Sequence, residues 1–225
     1  MKYPVFSTEH FIILAATLFL CLFLPYWLNK KQKGIDLIRY FFGYLLIANH
    51  LFYQSYRIAT GMWDVHYDLP MELCNWANII TGLALITKNA RLAEIAWCWV
   101  MTASVNGVIT PDFTGQFPEV PYLTFFIGHS GLVIATVFLV YVVKVYPKPG
   151  AWKRVMLFSQ VYFFSAVGLN LLLNSNYGYM MGTGNADNAM KFFGPFPYNI
   201  LSLELVAALA FYLILLPFRK KQIAH

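Results

Sequence analysis

The sequence predicts an all-α polytopic membrane protein, a bundle of seven transmembrane helices with the N-terminus outside and the C-terminus inside. Three observations predict it. Of 225 residues, 59% are hydrophobic and only 12% charged, more apolar surface than a soluble core of this size can hide. Apolar runs of about 17 to 25 residues recur along the chain, the length that crosses a bilayer. The basic residues fall in alternate connections, so successive runs face opposite ways.

The helices are expected at residues 9–28, 36–58, 70–87, 91–109, 122–143, 154–174 and 197–217, within one membrane domain covering 1–225. The first run, Phe11 to Leu28, has the length of a span, and no small-residue cleavage site follows it, so it reads as retained and not as a signal peptide. Cys21 follows Phe19 and Leu20, not the small residues of a lipoprotein signal. The second helix carries a polar stripe through Gly43, Ile47, His50, Gln54 and Arg57, and the third one through Cys74, Asn78 and Thr81. The fourth and fifth bring in Asn106 and His129, the sixth Asn170 and Asn174, and the seventh Glu204. Between the last two, "NSNYGYMMGTGNADNAMKFFGPFP" is rich in Gly, Asn and Pro and reads as an outer loop or lid.

Orientation follows from charge. Thirteen of the sixteen Lys and Arg residues lie in the connections at 30–39, 88–91 and 144–154 and in the tail at 219–221, and that side is cytoplasmic by the positive-inside rule. The other side holds Lys2, Arg57 and Lys191 with Glu9, Asp64, Asp68, Asp112, Glu119 and Asp187. The net charge of +6 therefore reports orientation and anionic-lipid contact, not a nucleic-acid partner. The expected location is the cell membrane, a bacterial cytoplasmic membrane.

With this topology the polar residues gather in the outer half of the bundle: Cys74 about 6 Å in from its helix end, His129 and Glu204 about 10 Å in. Polar groups in hydrocarbon are expensive, so they face the bundle interior, pair, or line a wet cavity. A lone membrane Asn more often bonds a neighbouring helix than a ligand. Six helices contributing to one layer nevertheless point to a shared pocket open to the outer side.

A thiol becomes nucleophilic when a base withdraws its proton, and histidine is the usual partner. Cys74 is the candidate nucleophile and His129 the candidate base, with Glu204, Asn170 or Glu72 to orient the imidazole. Asn106 or Asn75 is the candidate oxyanion donor. His50, Gln54, Asn78, Asn106, Asn174 and Tyr177 are candidate substrate-binding residues. Cys21 and Cys98 read as inert. The three cysteines show neither a disulfide framework nor a CxxC spacing. No cofactor is expected and no metal, since His50, His129 and Glu204 lack a metal-site spacing. A site reached from the outer leaflet points to membrane lipids as substrates, through an acyl ester or thioester.

The blocks "LPMELCNWANIITGLALITKN", "GVITPDF", "FFIGHSGLVIA", "LNLLLNSNYGYM" and "FFGPFPYNILSLELVAAL" resemble the signature blocks of the YwaF-like bacterial integral membrane proteins, grouped with transmembrane protein 164 of animals, over residues 35 to 217. The resemblance implies seven helices and, from the animal relatives, a phospholipid acyltransferase with a cysteine acyl-enzyme. It also implies an architecture like that of the androgen-induced-gene hydrolases, which use a threonine and a histidine. Cys74 matches the family's cysteine and His129 its histidine. One position departs: where bacterial members often have His two residues before the cysteine, this chain has Glu72. The reading is thus a lipid acyltransferase or acyl hydrolase. The alternative is a small-molecule transporter or ligand-binding protein using the same pocket, with Arg57 or His50 meeting an anionic head group.

Overall fold

The computed structural model describes residues 2–182 and 192–220. Seven long helices run through them: α1 (Thr8–Lys31), α2 (Ile35–Ala59), α3 (Leu73–Thr87), α4 (Ala90–Ile109), α5 (Val120–Tyr141), α6 (Ala151–Leu173) and α7 (Tyr198–Lys220). Among the described residues the one extended pairing is a bridge between Lys2 and Thr114. Local chemistry sets several ends. The Ser7 side chain accepts from the backbone N–H of His10 at the start of α1, and Asn89 accepts from Arg91 and Leu92 at the start of α4, satisfying amides that have no helical partner. Gln32, Lys88 and Asn174 close α1, α3 and α6 in the left-handed conformation.

Five helices, α1, α4, α5, α6 and α7, are long and apolar enough to cross a membrane, so the chain is a multi-pass membrane protein. The other two differ from the expectation for physical reasons. Helix α3 is apolar but starts at Leu73, not 70, and has 15 residues, roughly 22 Å of rise. Pro70 biases its predecessor toward extended backbone, and the Met71 carbonyl accepts the Tyr162 hydroxyl at 3.1 Å. Helix α2 has 25 residues but carries the polar stripe. Helix α4 is interrupted by a π-helical segment, Val100–Ser104, which sequence periodicity does not register.

Burial is graded from centre to rim. α3, α4 and α5 supply most of the fully buried residues, among them Ala77, Ala84, Leu85, Ala96, Trp99, Leu132, Phe138 and Leu139. α1 and α7 expose Phe11, Leu18, Phe19 and Leu22, and Leu201, Leu205, Leu209 and Leu213. An outer shell of large apolar side chains suits hydrocarbon, not water. α2 and α3 meet through two glycines, and a Cβ on Gly82 would lie 2.8 Å from the Gly43 carbonyl oxygen and 2.7 Å from Ile47. Such small-residue contacts let helices pack closely where no hydrophobic effect drives them together. Gly82→Ala is expected to lower stability in detergent by about 1–3 kcal/mol, read by thermal unfolding. Gly168→Ala, with nothing within 4 Å, should leave it unchanged or raise it.

The basic connections gather at one end of the bundle. Asn29 donates to the Tyr141 carbonyl at 3.1 Å. Arg39 donates to the carbonyls of Leu85 and Ile86, Lys88 pairs with Asp36 at 3.1 Å, and Arg154 clasps Glu94. At the opposite end His10, fully buried, donates through Nε2 to the Val108 carbonyl at 2.8 Å and accepts the Phe6 N–H on Nδ1, docking α1 onto α4. Asp187, Lys191 and the middle of the expected lid lie outside the described residues.

Candidate active site

The end of the bundle opposite the basic connections holds a cavity of about 1190 Å³, larger than most small-ligand sites. Of the residues singled out from the sequence, Cys74, His129, Glu204, His50, Gln54, Asn78 and Asn106 all line it. Its lining is mixed: His50, Glu72, Cys74, Asn78 and His129 supply polar groups. Phe163, Leu203, Val206, Ala207 and Phe211 add apolar surface, with Glu204 among them, so the space is amphipathic.

Cys74 sits in the first turn of α3 and its Sγ is 3.7 Å from Ser104 Oγ, which donates to it. Ser104 ends the π-helical segment of α4 and is fully buried. π-Bulges rotate the residues beyond them relative to a regular helix and recur at functional sites; here the rotated stretch presents Ser104 to the thiol and Gly107 to the histidine. A Cβ on Gly107 would lie 2.6 Å from His129 Cδ2 and 3.0 Å from Nε2, so only glycine leaves the imidazole its place.

His129 stacks on Phe125 with ring centroids 4.1 Å apart, and its Nδ1 is 3.0 Å from the Phe125 carbonyl oxygen. A carbonyl only accepts, so Nδ1 carries the proton and Nε2 keeps its lone pair. The tautomer is thereby set by a backbone carbonyl, with no carboxylate bonded to the ring among the described residues.

Glu204 accepts from Gln160 Nε2 at 3.0 Å, and Glu72 accepts the Gly178 N–H at 3.2 Å; neither holds the His129 ring. Asn78 donates to the Cys74 carbonyl at 2.8 Å, which fixes its amide and leaves Oδ1 buried with no partner among the described residues. Asn106 donates to Thr102 of its own helix, and Gln54 accepts from Trp63 Nε1 at 3.0 Å. Arg57 makes a two-pronged ion pair with Asp68, at 2.9 and 2.6 Å, and is thus a brace between α2 and the following loop, not a free anion receptor. In that loop, hydrogen bonds from the backbone and ring of His66 hold the Asp64 carboxyl below its ordinary value.

The structure places three expected site residues away from the cavity. Asn170 accepts the Tyr177 N–H at 2.7 Å and the Ser175 hydroxyl at 2.9 Å, and donates to the Tyr177 carbonyl at 2.9 Å, so its amide cannot orient His129. Asn174 is the left-handed residue that ends α6. Tyr177 is 1% exposed; its hydroxyl donates to the Val65 carbonyl and accepts the Leu69 N–H. All three serve local structure instead: Asn170 holds the backbone of Tyr177, Asn174 makes the left-handed turn that ends α6, and Tyr177 ties that turn to the loop before α3. The block acts at one remove, pinning the 3-10 turn Tyr177–Tyr179 against the segment that launches α3.

Ser104, Gly107, Gln160 and Tyr162 are the site residues that the sequence reading missed. The small polar run "TASVNG" at 102–107 was the available signal. Ser104→Ala is expected to slow Cys74 alkylation about tenfold through loss of a donor to the thiolate, with Cys98 alkylation, read by mass spectrometry of the same sample, unchanged.

The model of the TMEM164 family matches residues 5–215. Neither the curated proteins nor the solved structures give a match.

Proposed function

The chain belongs to the TMEM164 family, and from that premise we propose that it is a membrane-embedded lipid acyltransferase or acyl hydrolase with Cys74 as nucleophile and His129 as general base. In this reading all seven helices span, the N-terminus is outside, the C-terminus is inside the cytoplasmic membrane of a bacterium, and lipid enters the cavity from the outer leaflet. One observation carries it: a thiol that receives a hydroxyl hydrogen bond and an imidazole with Nδ1 protonated open onto one amphipathic cavity.

His129 Nε2 takes the Cys74 proton as Sγ attacks the ester carbonyl of a bound lipid. The tetrahedral oxyanion collapses, the acyl C–O bond breaks, and the departing lipid oxygen takes the proton from His129. Cys74 then holds the acyl group as a thioester. An acceptor hydroxyl, or water, gives its proton to Nε2 and attacks the thioester carbonyl; the C–S bond breaks and the thiol is restored. Transfer and hydrolysis differ only in that second nucleophile. The Asn75 amide lines the cavity beside Cys74 and is the donor we assign to the oxyanion. Glu204, His50 and Asn78 are assigned to substrate contact, and Gln160 to holding the Glu204 carboxylate.

The test is labelling of the purified protein with a long-chain alkyl electrophile, then peptide mapping. Selective modification of Cys74 that drops in His129→Ala supports the reading; equal labelling of Cys21, Cys74 and Cys98 overturns it. A small-molecule transport or binding role is the second reading, favoured by the cavity volume and by the unpartnered Asn78 Oδ1.

A further inference from the structure

A second pocket, of about 490 Å³, lies at the basic end of the bundle, far in sequence from the cavity-lining residues of α2, α3 and α5. It is formed by the loop Pro147–Gly150, the first turn of α6 and the last turns of α7. Its walls are apolar, with Pro147, Trp152, Leu215 and Phe218 among them, and Lys148 and Lys153 complete the lining.

Two features make this a built site. The loop is held by a buried acid: Glu94, 1% exposed, accepts the Lys148 N–H at 2.9 Å and two hydrogen bonds from Arg154, at 2.9 and 2.7 Å. Arg154 in turn donates to the carbonyls of Lys148 and Pro149. Trp152 donates to the Ala208 carbonyl at 2.8 Å, fixing α6 to α7 beside the pocket. The charge there is unbalanced. Lys148 and Lys153 are exposed and form no ion pair among the described residues; Glu94, which feels the Lys148 charge at longer range, is held by Arg154 and approached by Arg91.

An apolar slot rimmed by two ammonium groups without an ion pair, at the end of a membrane bundle where the basic connections 30–39, 88–91 and 144–154 gather, matches one class of molecule. We propose that this pocket binds an anionic phospholipid, with its phosphate between Lys148 and Lys153 and an acyl chain against Trp152, Leu215 and Phe218. Lysine stems lie along apolar surface while their ammonium groups reach the head-group layer, and basic pockets between helices recognise anionic head groups in this way. The site is independent of acyl transfer at Cys74 and stands or falls separately.

The experiment is native mass spectrometry of the full chain in detergent, titrated with phosphatidylglycerol or phosphatidylcholine of the same acyl chains. The wild type is compared with Lys148→Gln/Lys153→Gln and with Lys30→Gln/Lys33→Gln, and inorganic phosphate is added as competitor. Phosphatidylglycerol should bind in preference to phosphatidylcholine. The 148/153 pair should weaken it about thirtyfold, from roughly 1 kcal/mol per lysine, and the 30/33 pair should leave it unchanged. Equal binding of the two lipids, equal loss in both variants, or retention in the 148/153 variant overturns the proposal. Displacement by phosphate at concentrations equal to the lipid overturns the lipid as occupant and makes the pocket a free-anion site. Both variants change exposed side chains, and unchanged melting temperatures show that the fold is intact.

Discussion

Cys74→Ser is expected to reduce acyl transfer or hydrolysis at least about a thousandfold, as losing a nucleophile does in enzymes whose groups act as a unit. A fluorescent-acyl lipid followed by denaturing gel shows the intermediate: wild type carries label on the protein, the variant none, and the wild-type label is released by hydroxylamine. His129→Ala should fall to a similar level, and Cys74→Ser/His129→Ala should be no worse than either alone. Multiplicative losses in the double variant would mean that the two residues do not act in one step, and the assignment of base to His129 would be withdrawn. Full activity in Cys74→Ser would end the cysteine mechanism. Cys98, fully buried in the middle of α4, is the internal control: Cys98→Ser should retain activity.

The second large effect lies far from that cavity. Arg154→Ala leaves the Glu94 carboxylate, 1% exposed, with only Arg91 at 3.8 Å as counter-charge, and stability is expected to fall by about 3 kcal/mol, the lower end of what removing one member of a buried ion pair costs. Replacing both partners together, Glu94→Leu with Arg154→Leu, should recover most of that loss, because two apolar groups need no desolvation. Chemical denaturation in detergent, with tryptophan fluorescence as the readout, distinguishes the variants. A double replacement as unstable as the single would mean that the bonds from Arg154 to the Lys148 and Pro149 carbonyls, not relief of the buried charge, hold α4 against the loop before α6.

How far the sequence reached can be seen residue by residue. Counting turns from the helix ends places Cys74, His129, Glu204, His50, Gln54 and Asn106 in one layer, and all of them line the cavity. Depth along a helix is a linear quantity, so 1.5 Å of rise per residue is enough to compute it. Asn170 and Asn174 share that depth and Tyr177 continues their stripe, but all three lie where α6 ends. There backbone satisfaction outranks ligand contact, and depth alone does not distinguish the two uses. Arg57 is a head-group receptor in the alternative reading because its actual partner, Asp68, follows eleven residues later in a loop whose path is not periodic.

By itself the sequence determined the all-helical class, the number of long helices and the end of the bundle that collects positive charge, because hydropathy and charge are properties of composition along the chain. Only the tertiary structure decided which polar groups meet. The π-helical segment turned Ser104 to Cys74, Gly107 made room for the His129 ring, and the Phe125 carbonyl chose its tautomer. These are contacts between helices, fixed by their crossing geometry and local winding, and the order of residues within any one helix does not contain them.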